Sequence, residues 1–169
     1  ILFHIGLIEL ISYWKCACPP EVRIKSELSE NQKKWFKNVY FQGLGEFFYT
    51  NSIKSDIDTF MNISSEGGKF KIQSINLDDT TIVPIGGGKD SVVTLELLKN
   101  EVPVRPFIMN PRGATLECVR VSGFGNDGFF EVNRRIDPLL IELNSKGFLN
   151  GHTPSSAMLA FYTLLVSYI

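Results

Sequence analysis

The chain has 169 residues, enough to bury one compact core. Hydrophobic residues make up 44% and charged residues 21%, the balance expected of a soluble globular protein. A net charge of −1 and the lack of any long basic run exclude a general nucleic-acid binder, so no nucleic-acid partner is expected.

In chain order, residues 1–15 carry an apolar stripe that predicts a helix, ended by Pro19-Pro20. Glu21 to Lys25 predicts a short extended piece. Ser29 is a candidate N-cap for a helix through Tyr40, with Trp35, Phe36, Val39 and Tyr40 on its apolar face. Gly43 to Tyr49 predicts a tight turn with an aromatic cluster. Lys69 to Ile75 alternates as a strand does, and Asp78-Asp79 is turn material. From Thr81 the pattern becomes strand and helix in alternation. The strands are Ile82, Val83 and Ile85, then Val102 to Met109, then Phe129 to Asn133, with a fourth short one at Phe148-Leu149. The helices are Lys89 to Asn100, Arg112 to Val121, and one capped by Asp137 with Pro138 at its first position and Gly147 as its stop. A last helix is capped by Thr153 and runs to the end, with Pro154 at N1. The expected fold class is therefore α/β, a parallel sheet with helices on both faces, preceded by a mainly helical N-terminal part. The expected division is 1–78 and 79–169.

The chain starts at Ile1 and stops at Ile169 inside an apolar helical pattern, so it reads as a piece of a longer protein. The apolar ends, Ile1 to Trp14 and Ser156 to Ile169, are too short to span a bilayer, and no membrane insertion is expected. Neither resembles a signal peptide. Cys16, Cys18 and Cys118 form no Cys-x-x-Cys pair, which argues against a zinc or iron–sulfur site. An odd count without a framework fits a reducing cytoplasm, the expected location.

The chemistry concentrates at Ile85-Gly86-Gly87-Gly88-Lys89-Asp90-Ser91, a strand end, a glycine triplet and a helix start. Three glycines let backbone N–H groups crowd an anion without Cβ obstruction. The following helix adds free N–H donors and the positive end of its dipole. That is a phosphate cradle. A Walker A loop does not fit, because Gly88-Lys89 is followed by Asp90 and Val83 stands where the first glycine belongs. The dinucleotide fingerprint fails at Ser91. The string instead resembles the PP-loop of ATP pyrophosphatases, Ser-Gly-Gly-x-Asp-Ser, through Gly87, Gly88, Asp90 and Ser91. Gly86 stands where that family has its first serine, and Lys89 sits at the variable position. The resemblance implies an adenine-nucleotide hydrolase-like fold, ATP cleaved between its α- and β-phosphates, and adenine held by backbone near Met109-Asn110-Pro111.

Further candidates follow from where the strands end, since ligands of open parallel sheets bind beyond the carboxyl ends. His152, in Asn150-Gly151-His152-Thr153-Pro154, reads either as a phosphate contact or general acid–base or as a loop histidine tied to local backbone. Arg134 and Arg135 read as pyrophosphate or carboxylate ligands or as a solvated turn. His4 and Glu9 lie on an apolar helix, where a core role competes with a functional one. Tyr13, Trp14 and Lys15 are core residues first and substrate contacts second. Cys16 and Cys18 read as buried thiols or proton carriers. Glu46 is a capping carboxylate or a candidate base.

Four stretches carry a closer resemblance: Phe3 to Lys15, Gly43 to Asn51, Ile85 to Ser91 and Leu143 to Pro154. Together they resemble the UDP-N-acetylmuramoyl-L-alanyl-L-glutamate epimerases of peptidoglycan synthesis. The resemblance implies an isomerase that inverts the terminal L-glutamate of a UDP-linked muramoyl dipeptide, using ATP and magnesium. A Cα–H beside a carboxylate is a poor acid, because its loss piles negative charge next to negative charge. Adenylating the carboxylate removes that charge, and the proton can then leave and return on the other face. On this reading Gly86, Gly87, Gly88, Lys89, Asp90, Ser91 and Met109 hold ATP, and Lys89 stabilises the leaving pyrophosphate. Asp90 helps hold magnesium, and His152 serves the α-phosphate or the proton transfer. A second base stays open among Glu9, Glu46, Cys18 and Glu117. The rival readings are another adenylating PP-loop enzyme, either an amide ligase or a tRNA-modifying one, and a non-catalytic nucleotide sensor.

Overall fold

The structure, a computed structural model, describes residues 1–169. It is α/β, with seven helices and two small parallel sheets. The chain divides into two compact units: Leu2–Ser74 with Ile136–Met158, and Ile75–Arg135 with Ile1 and Leu159–Ile169. One break falls at Ser74–Ile75, and residues 136–158 group with the N-terminal residues.

The first unit opens with α1 (Leu2–Trp14), which buries Ile5, Leu7, Ile8, Ile11 and Trp14 at helical spacing. The Trp14 indole donates to the Pro19 carbonyl at 2.8 Å, which fixes the chain as it leaves the helix. Strand β1 (Glu21–Ile24) follows. Helix α2 (Glu30–Gly43) starts at the capping box Ser29/Gln32: each residue's side chain accepts the other's backbone N–H, at 3.2 and 2.9 Å. Its buried residues are Phe36 and Tyr40, four apart, while Trp35 is exposed. The Tyr40 hydroxyl donates to the Leu7 carbonyl at 2.6 Å and ties α2 to α1.

The expected turn at Gly43–Tyr49 is instead a short helix, α3 (Gly45–Thr50), because Phe47 gains full burial by winding inward. Phe41, Phe48 and Phe60 pack beside it. Strand β2 (Asn62–Ser65) pairs in parallel with β1, Glu21 opposite Asn62. Its sequence, with one apolar residue in four, gives no alternation to read. The expected strand at Lys69–Ile75 does not form. Alternation alone does not make a strand where no neighbouring strand takes up the backbone groups, and Ile72 is exposed.

In the second unit, β3 (Thr81–Pro84), α4 (Lys89–Leu98), β4 (Val104–Met109), α5 (Gly113–Val121) and β5 (Phe130–Val132) alternate as expected. The strands lie in the order β3-β4-β5 and are all parallel, with Val83 opposite Pro106 and Phe107 opposite Phe130. Val83, Ile85 and Ile108 on one sheet face close over Leu95 of α4 and Val119 of α5. The opposite face, with Ile82, Arg105 and Phe130, lines a hollow shared with residues 75–80 and 166–169. The Arg105 guanidinium lies over the Phe130 ring, 4.1 Å from its centre.

Helix α6 (Pro138–Ser145) is capped by the Asp137 carboxylate, which accepts the Leu139 N–H at 2.8 Å. The expected fourth strand at Phe148-Leu149 is absent, and the helix stop explains why. Gly147 takes φ +91° while the Phe148 N–H reaches back to the Leu143 carbonyl at 3.1 Å, a Schellman closure that spends the backbone a strand would need. Helix α7 (Ser155–Val166) begins after Pro154 rather than at it. The Thr153 carbonyl accepts the Ser155 N–H at 2.7 Å.

Candidate functional site

At the carboxyl end of β3 the Ile85 N–H donates to the Phe107 carbonyl at 2.7 Å, so the sheet holds the chain to the edge of the glycine triplet. Gly87 then turns to φ +81°, a left-handed conformation costly to any residue with a Cβ. A Cβ there would also lie 3.2 Å from Thr115 Cγ2. Glycine at 87 is thus dictated by the fold. Gly86 and Gly88 are different. A Cβ at either would meet nothing within 4 Å, and Gly88 has an ordinary extended backbone. Nothing inside the protein requires glycine at these two exposed positions.

Gly88 is the N-cap of α4 and brings no capping side chain, so the first-turn amides face outward. Lys89 and Asp90 are exposed beside them, and Ser91 Oγ donates to the Gly88 carbonyl at 3.0 Å. The first turn of α5 borders the loop through Ala114 and Thr115. Thr115 is buried, and its hydroxyl closes that turn. It accepts the Arg112 N–H and donates to the Arg112 carbonyl, both at 2.9 Å.

Met109 ends β4, half-buried, and Asn110 follows at φ +53°. The Asn110 N–H donates to the Val132 carbonyl at 2.8 Å, and its side-chain oxygen accepts the Arg134 N–H at 2.7 Å. The ends of β4 and β5 are thereby locked to each other. Arg134 is half-buried and Arg135 exposed. The sequence pointed to this segment but not to Thr115, whose methyl meets the loop only because α5 packs there. Glu117 pairs with Arg120 at 2.6 Å, which holds its carboxylate below the usual range.

The other compact unit assembles a second group. Without a strand at 148–149, His152 owes its position to Lys15, just past α1, and Glu46 of α3 rather than to a sheet edge. Lys15 is buried, and its ammonium donates to the Gly151 carbonyl and, at 3.5 Å, to that of His152. The Lys15 ammonium also lies over the Phe47 ring, 5.9 Å from its centre. Gly151 packs so closely that a Cβ would fall 3.0 Å from Phe47 Cδ2. Asn51 Nδ2 donates to the Asn150 carbonyl at 3.0 Å, and Asn144 Nδ2 to that of Leu149 at 3.2 Å. Glu46 completes the group: its Oε2 accepts the His152 N–H at 3.0 Å and lies 3.7 Å from His152 Nδ1. Its Oε1 accepts from Thr50 at 2.9 Å. The His152 N–H, then the Thr50 hydroxyl, hold the Glu46 carboxyl below the usual range, with the charges of His152 and Lys15 adding to this.

Of the remaining candidates, His4 stands edge-on to Phe3 and stacked near Phe36, and burial pushes its pKa down. Tyr13 is exposed and Trp14 buried. Cys16 and Cys18 are half-buried free thiols, and burial, then Cys16, pushes the Cys18 thiol up. No group of three or more His, Cys, Asp or Glu comes together as a metal site. No helix is long and apolar enough to cross a membrane.

Fold and site together define an α/β protein whose parallel strands deliver a glycine-rich loop to a helix N-terminus. More narrowly, the chain belongs to the MurL N-terminal domain family, which matches it over residues 1–169. It is 33% identical over 160 residues to a UDP-N-acetyl-alpha-D-muramoyl-L-alanyl-L-glutamate epimerase of Micromonospora sp., covering 94% of this chain and 35% of that protein. Proteins of the same name from Salinispora tropica and Xanthomonas oryzae pv. oryzae are each 31% identical, over 94% and 90% of this chain and 34% and 33% of their own. The chain therefore spans about a third of the length of the curated relatives it matches. No solved structure matches it.

Proposed function

We propose that this chain is the N-terminal part of an ATP-dependent epimerase acting on UDP-N-acetylmuramoyl-L-alanyl-L-glutamate in peptidoglycan precursor synthesis. The observation that carries the reading is the glycine triplet. Gly87 is demanded by backbone and packing, whereas Gly86 and Gly88 have open space where a Cβ would stand. Glycine where the protein leaves room suits a ligand that must approach the backbone closely, and outward amides at α4 suit an anion.

In this reading the amides of Gly86, Gly87 and Gly88 and the Ser91 hydroxyl bind the phosphates of ATP. Lys89 offsets charge developing on the leaving pyrophosphate. Asp90 would help to hold magnesium, which would supply positive charge against the phosphates. Met109 and Asn110 border the adenine. The substrate carboxylate attacks the α-phosphorus, pyrophosphate leaves, and the resulting carboxyl-adenylate acidifies the glutamate Cα–H. Proton removal and return on the opposite face invert the centre, and hydrolysis releases AMP. His152 is the proposed proton-transfer residue.

The test uses the full-length protein with ATP, magnesium and the UDP-linked dipeptide. Substrate-dependent pyrophosphate together with D-glutamate after acid hydrolysis is the expected outcome. Pyrophosphate without inversion assigns the adenylating loop to another acceptor. ATP binding with neither product overturns the enzyme reading in favour of a nucleotide sensor.

A further inference from the structure

The most constrained polar group outside the glycine loop is the one around His152. A buried ammonium, two side-chain amides, a glycine pressed on an aromatic ring and a carboxylate all converge on four loop residues, 149–152. The His152 side chain itself is left 84% exposed. Loop backbone held from every side beneath a free side chain is the arrangement of a positioned chemical group.

Glu46 approaches the imidazole from its Nδ1 side, at 3.7 Å, while the same oxygen holds the His152 N–H at 3.0 Å. One carboxylate oxygen thus faces both the backbone N–H and the imidazole of His152. Thr50 holds the other oxygen and stops the carboxylate turning. In an imidazole, Nδ1 and Nε2 point in divergent directions. A carboxylate on the Nδ1 side therefore leaves Nε2 as the nitrogen turned away from Glu46 and favours the tautomer with its proton on Nδ1. The charged groups near His152 include Glu46 of α3 and Lys15, which follows α1. Lys15 donates to the Gly151 and His152 carbonyls and so helps to hold the loop.

Resting on the epimerase reading above, we infer that Glu46 is the positioning residue for His152, making His152 Nε2 the atom that exchanges a proton with the glutamate Cα. The step balances simply. Nε2 takes the Cα proton from the activated glutamyl group, the electron pair stays with the substrate as an enolate, water protonates carbon on the opposite face, and the imidazolium gives its proton to the hydroxide left behind.

The experiment separates this inference from the reading it rests on. In full-length enzyme in D2O, pyrophosphate release reports adenylation, and deuterium at glutamate Cα reports proton transfer. If the wild type gives no pyrophosphate, the epimerase reading itself falls. If the wild type gives both, Glu46→Gln is compared with it. The glutamine keeps an oxygen for the His152 N–H and removes the charge. The expected result is pyrophosphate release within about threefold of wild type and deuterium incorporation per pyrophosphate reduced about 10- to 100-fold. Glu46→Asp should recover part of the ratio. An unchanged ratio in Glu46→Gln overturns the inference. So does equal loss of both activities in a variant that melts like wild type. Should Glu46→Gln fail to fold, Thr50→Ala carries the same reading, with a lowered deuterium-to-pyrophosphate ratio expected and an unchanged one decisive against it.

Discussion

Replacing Gly87 by alanine asks a Cβ to accept a left-handed backbone and to press on Thr115 Cγ2 at 3.2 Å. A destabilisation of about 1–3 kcal/mol is expected from backbone strain and overpacking together. Gly86→Ser, at a site with open space, should stay within about 0.5 kcal/mol of wild type. Urea denaturation of the two variants side by side checks the contrast. Lys15→Met removes the buried donor from the Gly151 and His152 carbonyls, and about 2–4 kcal/mol should be lost in the same measurement. Glu46 gives a pH signature. Its carboxyl is held low by the His152 N–H and the Thr50 hydroxyl, so its contribution to stability is present above the ordinary glutamate pKa. That contribution disappears as pH falls through the lowered folded value. The stability gap between wild type and Glu46→Gln should therefore close on acidification, and carboxyl NMR should place the Glu46 midpoint below that of an exposed glutamate. At this scale the glycine loop was legible because local spacing alone defines it. The partnership of Lys15 with residues 136 and 137 positions further along was not, since no local pattern links them.

Helix ends are the elements most open to a direct test. Ser29→Ala removes the hydroxyl that caps α2 and should cost about 1 kcal/mol, read as a lower melting temperature. Gly43, the last residue of α2, is a case of close approach. A Cβ there would fall 2.4 Å from Pro154 Cβ, and Gly43→Ala should cost about 1–3 kcal/mol more than an alanine placed at Gly45, where nothing lies within 4 Å. Tyr40 ties α2 to α1, and burial pushes its phenol pKa up. The stability it contributes is complete below the ordinary tyrosine value and is lost as pH rises toward the raised folded value. Alkaline unfolding should accordingly begin at lower pH in wild type than in Tyr40→Phe. The elements that were legible have a signal within their own residues: caps at Ser29 and Asp137, a stop at Gly147, an apolar stripe on α1. Strand β2 lacks one, and the alternation at 69–75 and the apolar pair at 148–149 did not become strands, because a strand exists only where a partner takes its hydrogen bonds.

For the whole molecule, membership of the MurL N-terminal domain family over residues 1–169 and the epimerase names of its relatives set the scale of the proposal. Those relatives are about three times as long as this chain, so the full-length protein is the unit to assay. By itself the sequence determined what depends on neighbours along the chain. It specified the alternation of strand and helix from Thr81 to Val132, the glycine loop between β3 and α4, and the capped starts of α2 and α6. Only the tertiary structure decided that Gly87 must be glycine because Thr115 lies against it. Only the tertiary structure brought Lys15, Glu46 and His152 into one group. Both depend on contacts between residues far apart in sequence, whose geometry is set by how the elements pack and not by any spacing within them.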